Sequence, residues 1–183
     1  MEIPKAKLLD MKKIIFALII IALAVLFRTS WHLYPNVEFV TAATLLSSVY
    51  LGRKWGMIVP IVIMAISDSI IGNTNIFMFT WSAYLLIGII ARGKPWMKAI
   101  TASMFFFVWT NFGVWALDSF GMYSKDLQGL LRCFYMGLPF LRFNLIGNIF
   151  FVSVSFWIVE KLKNINFAGK MGIRCKSGAV PQR

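Results

Sequence analysis

Acidic side chains are scarce in this chain: seven Asp and Glu stand against nineteen Lys and Arg, a net charge of +12 over 183 residues. Charged residues of both signs make up only 14% of the sequence and hydrophobic ones 59%, which excludes an ordinary soluble domain of this length. Cysteine is nearly absent. Cys133 and Cys175 are expected on opposite faces of a membrane, so neither a disulfide between them nor a metal site is expected. No G-x-x-x-x-G-K-[ST] run occurs, which excludes a P-loop for ATP, and there is no H-E-x-x-H and no recognisable motif around a Ser or Cys nucleophile. The chain is therefore read as a non-enzyme with no catalytic residue and no cofactor. The lone His32 lies in a loop, where a surface role is expected. No internal repeat supports an inverted-repeat transporter, and no ionisable series runs from face to face as a proton-coupled pump would require.

What the chain has in abundance is apolar runs. Six of them, Ile14–Ser30, Val37–Leu51, Trp55–Ile71, Ile76–Ile90, Met97–Trp115 and Pro139–Val159, lie near the roughly 20 residues that span about 30 Å of hydrocarbon. The expected fold is an all-α integral membrane protein, a bundle of six transmembrane helices. The second and fourth runs are short and are expected to be shielded inside the bundle. With the N-terminus in the cytoplasm, fifteen of the nineteen basic residues fall on the inner face and only Arg28, Lys125, Arg132 and Arg142 fall outside. The positive-inside rule thus places the chain in the cell's inner (plasma) membrane as a multi-pass protein with both termini cytoplasmic. The basic residues are scattered over four short segments at one face, which suits anionic lipid and not nucleic acid. Lys12 and Lys13 before an apolar run ending in Ala22-Leu23-Ala24 resemble a signal peptide, but the run continues through Val25, Leu26 and Phe27, so a retained span is expected.

The organisation that follows is a basic cytoplasmic N-terminus over residues 1–13, a membrane domain over 14–163 and a basic, disordered tail over 164–183. Short connections at Gly52–Lys54, Gly72–Asn75 and Ala91–Trp96 make consecutive helices antiparallel neighbours. The two long connections are both outside. In the first, Pro35 stops helical geometry and Asn36 can cap the second helix. In the second, Ser124–Met136 is expected to form a separate short extracellular helix, because Asp126 to Glu160 as one helix would be about 52 Å long; Gly137-Leu138-Pro139 is the expected break.

Polar residues within the bilayer are costly and so mark function. Glu38, Thr41 and Thr44 open the second helix, Ser67, Asp68 and Ser69 close the third, and Trp81 and Tyr84 lie early in the fourth. Asn111 lies late in the fifth helix and Asn144 and Asn148 early in the sixth. With alternating helix directions all of them map to the outer half. An outward pocket is expected there, with Glu38, Thr41, Asp68, Trp81, Tyr84, Asn111, Asn144 and Asn148 as substrate-binding residues and aromatic walls suited to a corrinoid, pterin, flavin or nucleobase. The structural alternatives are interfacial anchoring of the Trp and Tyr residues, helix-to-helix hydrogen bonding by Asn148, and pairing of Asp68 with Arg28 or Arg142.

Pro35-Asn36-Val37-Glu38, Ser67-Asp68 before Ile71-Gly72, Asn111-Phe112-Gly113-Val114-Trp115, Leu127-Gln128-Gly129-Leu130, Pro139-Phe140 and Asn144-Leu145-Ile146-Gly147 together resemble the substrate-binding S components of energy-coupling factor (ECF) transporters, and among them a group of small six-span proteins. The resemblance covers about Arg28 to Trp157. It implies high-affinity capture of a vitamin-like micronutrient or its precursor from outside, and import through an ECF transmembrane coupling subunit driven by two cytoplasmic ATPases. The chain departs from the A-x-x-x-A pattern that such proteins often carry in helix one, since Ala17 is followed four residues later by Ile21. Two other function classes remain open: an assembly or scaffold protein of the membrane, and an intramembrane enzyme using Asp68, Glu38 or His32.

Overall fold

The computed structural model describes residues 5–30, 37–90, 93–118 and 121–164. Expectations for the first outer loop, including Trp31, His32, Tyr34, Pro35 and Asn36, and for the tail beyond Asn164 lie outside these residues. The described chain is all helical, with no strand. Six helices follow in order: α1 Lys5–Ser30, α2 Val40–Leu51, α3 Arg53–Ile71, α4 Phe77–Ile90, α5 Pro95–Leu117 and α6 Leu127–Asn164. Three of them, α3, α5 and α6, are long and apolar enough by length and composition to cross a membrane, while α2 and α4 are shorter apolar helices.

The bundle is organised around α2. Every residue from Val40 to Leu46 is buried, and α2 packs against all five other helices. The shielding expected of a short helix is met here. It is not met by α4, which buries Ala83, Tyr84, Ile87 and Gly88 but leaves Phe77, Met78 and Ile90 exposed. α1 buries Ala17, Ile20 and Ala24 against the bundle and turns Leu18, Ile19, Leu23 and Leu26 outward. Apolar side chains facing outward along whole helices are what a lipid environment requires and water penalises.

One end of the bundle is drawn tight. The last turn and a half of α2, Ser47–Leu51, widens into a π-helix, and Ser48 Oγ donates to the Gly88 carbonyl at 2.5 Å. A Cβ on Gly88 would overlap the carbonyl oxygen of Gly56, and one on Gly56 would lie 2.6 Å from Ser48 Cβ. Only glycine at both sites lets α2, α3 and α4 approach this closely. At the same end the Tyr50 hydroxyl donates to Glu160 Oε1 at 2.8 Å.

The expected break at Gly137-Leu138-Pro139 does not occur. α6 runs unbroken for 38 residues, about 57 Å, with Pro139 inside it. Gly137 serves close packing and not a turn, because a Cβ there would overlap the Asn111 carboxamide and lie 2.9 Å from the Phe107 ring. Asp126 starts the helix: its Oδ1 accepts from Gly129 N–H and from Ser124 Oγ, both at 2.7 Å, and these bonds hold its carboxyl below the usual carboxylate range. The N-terminal helix is also longer than its apolar run, since α1 begins at Lys5 and not at Ile14.

Candidate functional site

The other end of the bundle is open. The C-terminal ends of α1, α3 and α5 meet there with the N-terminal end of α2 and α4 and the first half of α6, and between them lies a cavity of about 680 Å³. This is the volume of a small-molecule site. Glu38, Tyr84, Asn111 and Asn144 line it, as the sequence leads one to expect. Tyr84 and Phe106 form an aromatic wall with ring centroids 4.9 Å apart, while Met64, Met136 and Phe140 supply apolar surface.

Beside the cavity lies a charge cluster joining α1, α2, α3 and α4. Arg28 Nη1 donates to both Glu38 oxygens at 2.7 and 2.8 Å, Nη2 to Asp68 Oδ1 at 2.7 Å, and Nε to Ser67 Oγ at 2.8 Å. Trp81 Nε1 donates to the second Asp68 oxygen at 2.7 Å. The planar guanidinium reaches three acceptors at once, which an ammonium could not do in this geometry. Of the two pairings open to Asp68, the structure makes the one with Arg28; Arg142 is exposed on α6.

The remaining expected site residues are in the same region but turned away from the cavity. Asp68 is 6% exposed and is occupied by Arg28 and Trp81, and the Trp81 ring holds Asp68 instead of walling the cavity. Thr41 is buried in α2 and does not line the cavity. Asn148 Nδ2 donates to Ser103 Oγ and Asn144 Oδ1, each at 2.9 Å, so it ties α6 to α5 and supports Asn144 from behind. The rest of the polar stripe on α2 serves packing: Thr44 Oγ1 donates to the Val40 carbonyl, and Ser48 to Gly88. Trp109 donates to Ser82 Oγ, and Trp115 to the Ser124 carbonyl.

Several lining residues escaped the sequence reading. Arg28, Thr110, Arg132 and Met64 all face the cavity. Met64, one turn inward of Asp68 on α3, belongs to the cavity wall. The signal for Arg28 was present, since an arginine in the last turns of an apolar helix demands a partner. Among the described residues no group of three or more His, Cys, Asp or Glu could hold a metal ion.

The chain belongs to a family of unknown function, DUF6580, whose model matches residues 9–168. No curated protein and no solved structure shows significant similarity to it.

Proposed function

We propose that this protein is the substrate-capture subunit of an ECF-type importer, taking a vitamin-like small molecule from outside the cell and delivering it with an ATP-driven module. The observation that carries this reading is the cavity of about 680 Å³ at one end of the bundle, bordered by Glu38, Asn111 and Asn144, opposite an end sealed by the Ser48, Gly56 and Gly88 contact. A site open at one face and closed at the other is what capture before delivery requires. The absence of a P-loop from the sequence agrees with a motor supplied by partners. Both carboxylates of the site are engaged by hydrogen bonds from Arg28 and Trp81, which supports binding over turnover.

The topology in this reading is six spans with both termini cytoplasmic, so that the cavity opens outward. Among the described residues Lys12, Lys13, Arg53, Lys54, Lys94, Lys98 and Lys161 lie toward the sealed end of the helices, which supports it. In a background with Cys133 and Cys175 replaced by serine, a cysteine at Leu127 is expected to react with a membrane-impermeant maleimide added outside intact cells, and a cysteine at Lys94 only after lysis. Outside labelling at residue 94 would invert the cavity and overturn an outward capture role.

Docking on the coupling subunit cannot use Ala17 and Ala24, which are buried inside the bundle; the outward residues of α1 include Ile15, Leu18, Ile19, Ala22, Leu23 and Leu26. The purified chain is expected to show no ATPase activity, to co-purify with a membrane coupling subunit and its ATPases, and to retain a small molecule detectable by mass spectrometry. Accumulation of that molecule against a gradient in vesicles holding this chain alone, without ATP, would sink the shared-motor reading.

A further inference from the structure

The four outward cations differ in what they hold. Arg28 is saturated by Glu38, Asp68 and Ser67. Lys125 donates to the Trp115 and Ala116 carbonyls at the end of α5, at 2.5 and 3.0 Å, and is thereby spent on closing that helix. Arg142 is exposed on α6 and does not line the cavity. Arg132 lines the cavity, and no carboxylate among the described residues lies within ion-pair distance of it.

Position gives this guanidinium its meaning. Arg132, Met136, Phe140 and Asn144 recur every four residues on the continuous α6 and all face the cavity, so Arg132 stands about 18 Å outward of Asn144 along the helix. At the inner end, Arg28, Glu38 and Asp68 together leave one net negative charge; Arg28 and Glu38 stand on the cavity wall, and Asp68 lies behind them, held by Arg28 and Trp81. Of the charges on the wall, Glu38 thus lies at the inner end beside Arg28 and Arg132 stands at the mouth, where Asp118 lies behind Tyr123 with its Oδ1 accepting from the Met122 and Tyr123 N–H groups; methionine and aromatic side chains line the stretch between. From this we infer that the ligand is an elongated, dipolar molecule whose anionic group, a carboxylate or phosphate, is held at the mouth by Arg132, while a hydrogen-bond-donating or cationic end enters first toward Glu38 and Asn144. The inference rests on the cavity being the capture site and adds the charge pattern of what it captures. Between the ends, a flat apolar body packs on Tyr84 and Phe140.

The test uses three rigid probes and the whole chain in maltoside micelles, which carry no phosphate. The probes are 4′-(aminomethyl)biphenyl-4-carboxylic acid, its methyl ester, and biphenyl-4-carboxylic acid, followed by quenching of tryptophan fluorescence. The dipolar probe is expected to bind about tenfold more tightly than its ester, a fraction of a fully buried charged hydrogen bond because the mouth is wet. It is also expected to outbind the acid that lacks the amine. Arg132→Gln should reduce the acid-to-ester preference to about twofold or less, and Arg132→Lys should keep part of it, with the amine preference unchanged in both. Arg132 is an exposed residue, and unchanged melting in micelles will show that both variants fold. An acid-to-ester preference that survives Arg132→Gln, or its absence in the wild type, overturns the inference while leaving the cavity as a binding site. Saturable binding of none of the three overturns the capture reading itself. If phosphatidylglycerol added to the micelles displaces the dipolar probe from the wild type but not from Arg132→Gln, the anion Arg132 holds is a lipid headgroup, and the ligand assignment is overturned.

Discussion

Replacing Arg28 with methionine is expected to cost about 3–5 kcal/mol of stability, enough to leave little folded protein in detergent. The size follows from what is left behind. Asp68 has a 5% exposed side chain and Glu38 one of 25%, and without the guanidinium two carboxylates face each other in a poorly hydrated site with no cation between them. Arg28→Lys should lose less, since an ammonium keeps the charge but cannot serve Glu38, Asp68 and Ser67 together. The combination of Arg28→Met with Glu38→Gln and Asp68→Asn should recover much of the loss, because removing every charge costs far less than removing one. The measurement is the midpoint of unfolding in a maltoside and SDS titration. A midpoint for Arg28→Met close to that of the wild type would show that the carboxylates reach water or protonate freely, and the cluster would lose its role in joining α1 to α3.

The helices, and the gathering of polar groups at one end, were legible in the sequence because hydrophobic run length and alternating direction depend on local composition alone. Glu38, Tyr84, Asn111 and Asn144 were found in this way, and all four line the cavity. What was not legible depends on rotation about each helix axis. Asp68, Thr41, Trp81 and Asn148 lie at the expected depth but are buried in helix contacts or off the cavity wall, and a rotation of a quarter turn separates the two outcomes. The continuity of α6 is hidden for a different reason. Glycine and proline two residues apart look like a break, yet Gly137 faces Asn111 and Phe107, where any side chain would push α5 away. A break at that point would put Arg132 and Asn144 on separate helices, whereas the continuous α6 sets Arg132, Met136, Phe140 and Asn144 along one face at every fourth residue. Arg28, by contrast, needed no tertiary knowledge: its partners on the second and third helices were already marked by Glu38 and Asp68.

Asn144→Ala is expected to weaken binding of the small molecule retained on the purified chain by about 5- to 150-fold, the effect of removing one partner of a buried hydrogen bond worth about 1–3 kcal/mol. Asn144 is 6% exposed, lines the cavity and is oriented by Asn148, whose Nδ2 donates to its Oδ1. Its loss should not unfold the bundle, since Asn148 keeps its bond to Ser103 on α5. Asn148→Ala should weight the two readouts the other way, because that residue does not line the cavity and joins two helices: the unfolding midpoint falls, and affinity in the protein that remains folded falls less than in Asn144→Ala, through the lost orientation of Asn144 alone. Met64, a cavity residue, is unsuitable as an inert control. Ile146→Ala serves instead, since Ile146 is 59% exposed, two residues along α6 from Asn144, and absent from the cavity wall. Calorimetric titration and thermal unfolding on the three variants separate a capture protein from a scaffold. In a scaffold the polar residues only hold helices together, so Asn144 and Asn148 would both lower stability, and no variant would change affinity more than Ile146→Ala does. That pattern would return Asn144 to helix packing and remove the cavity's inner end from the ligand site.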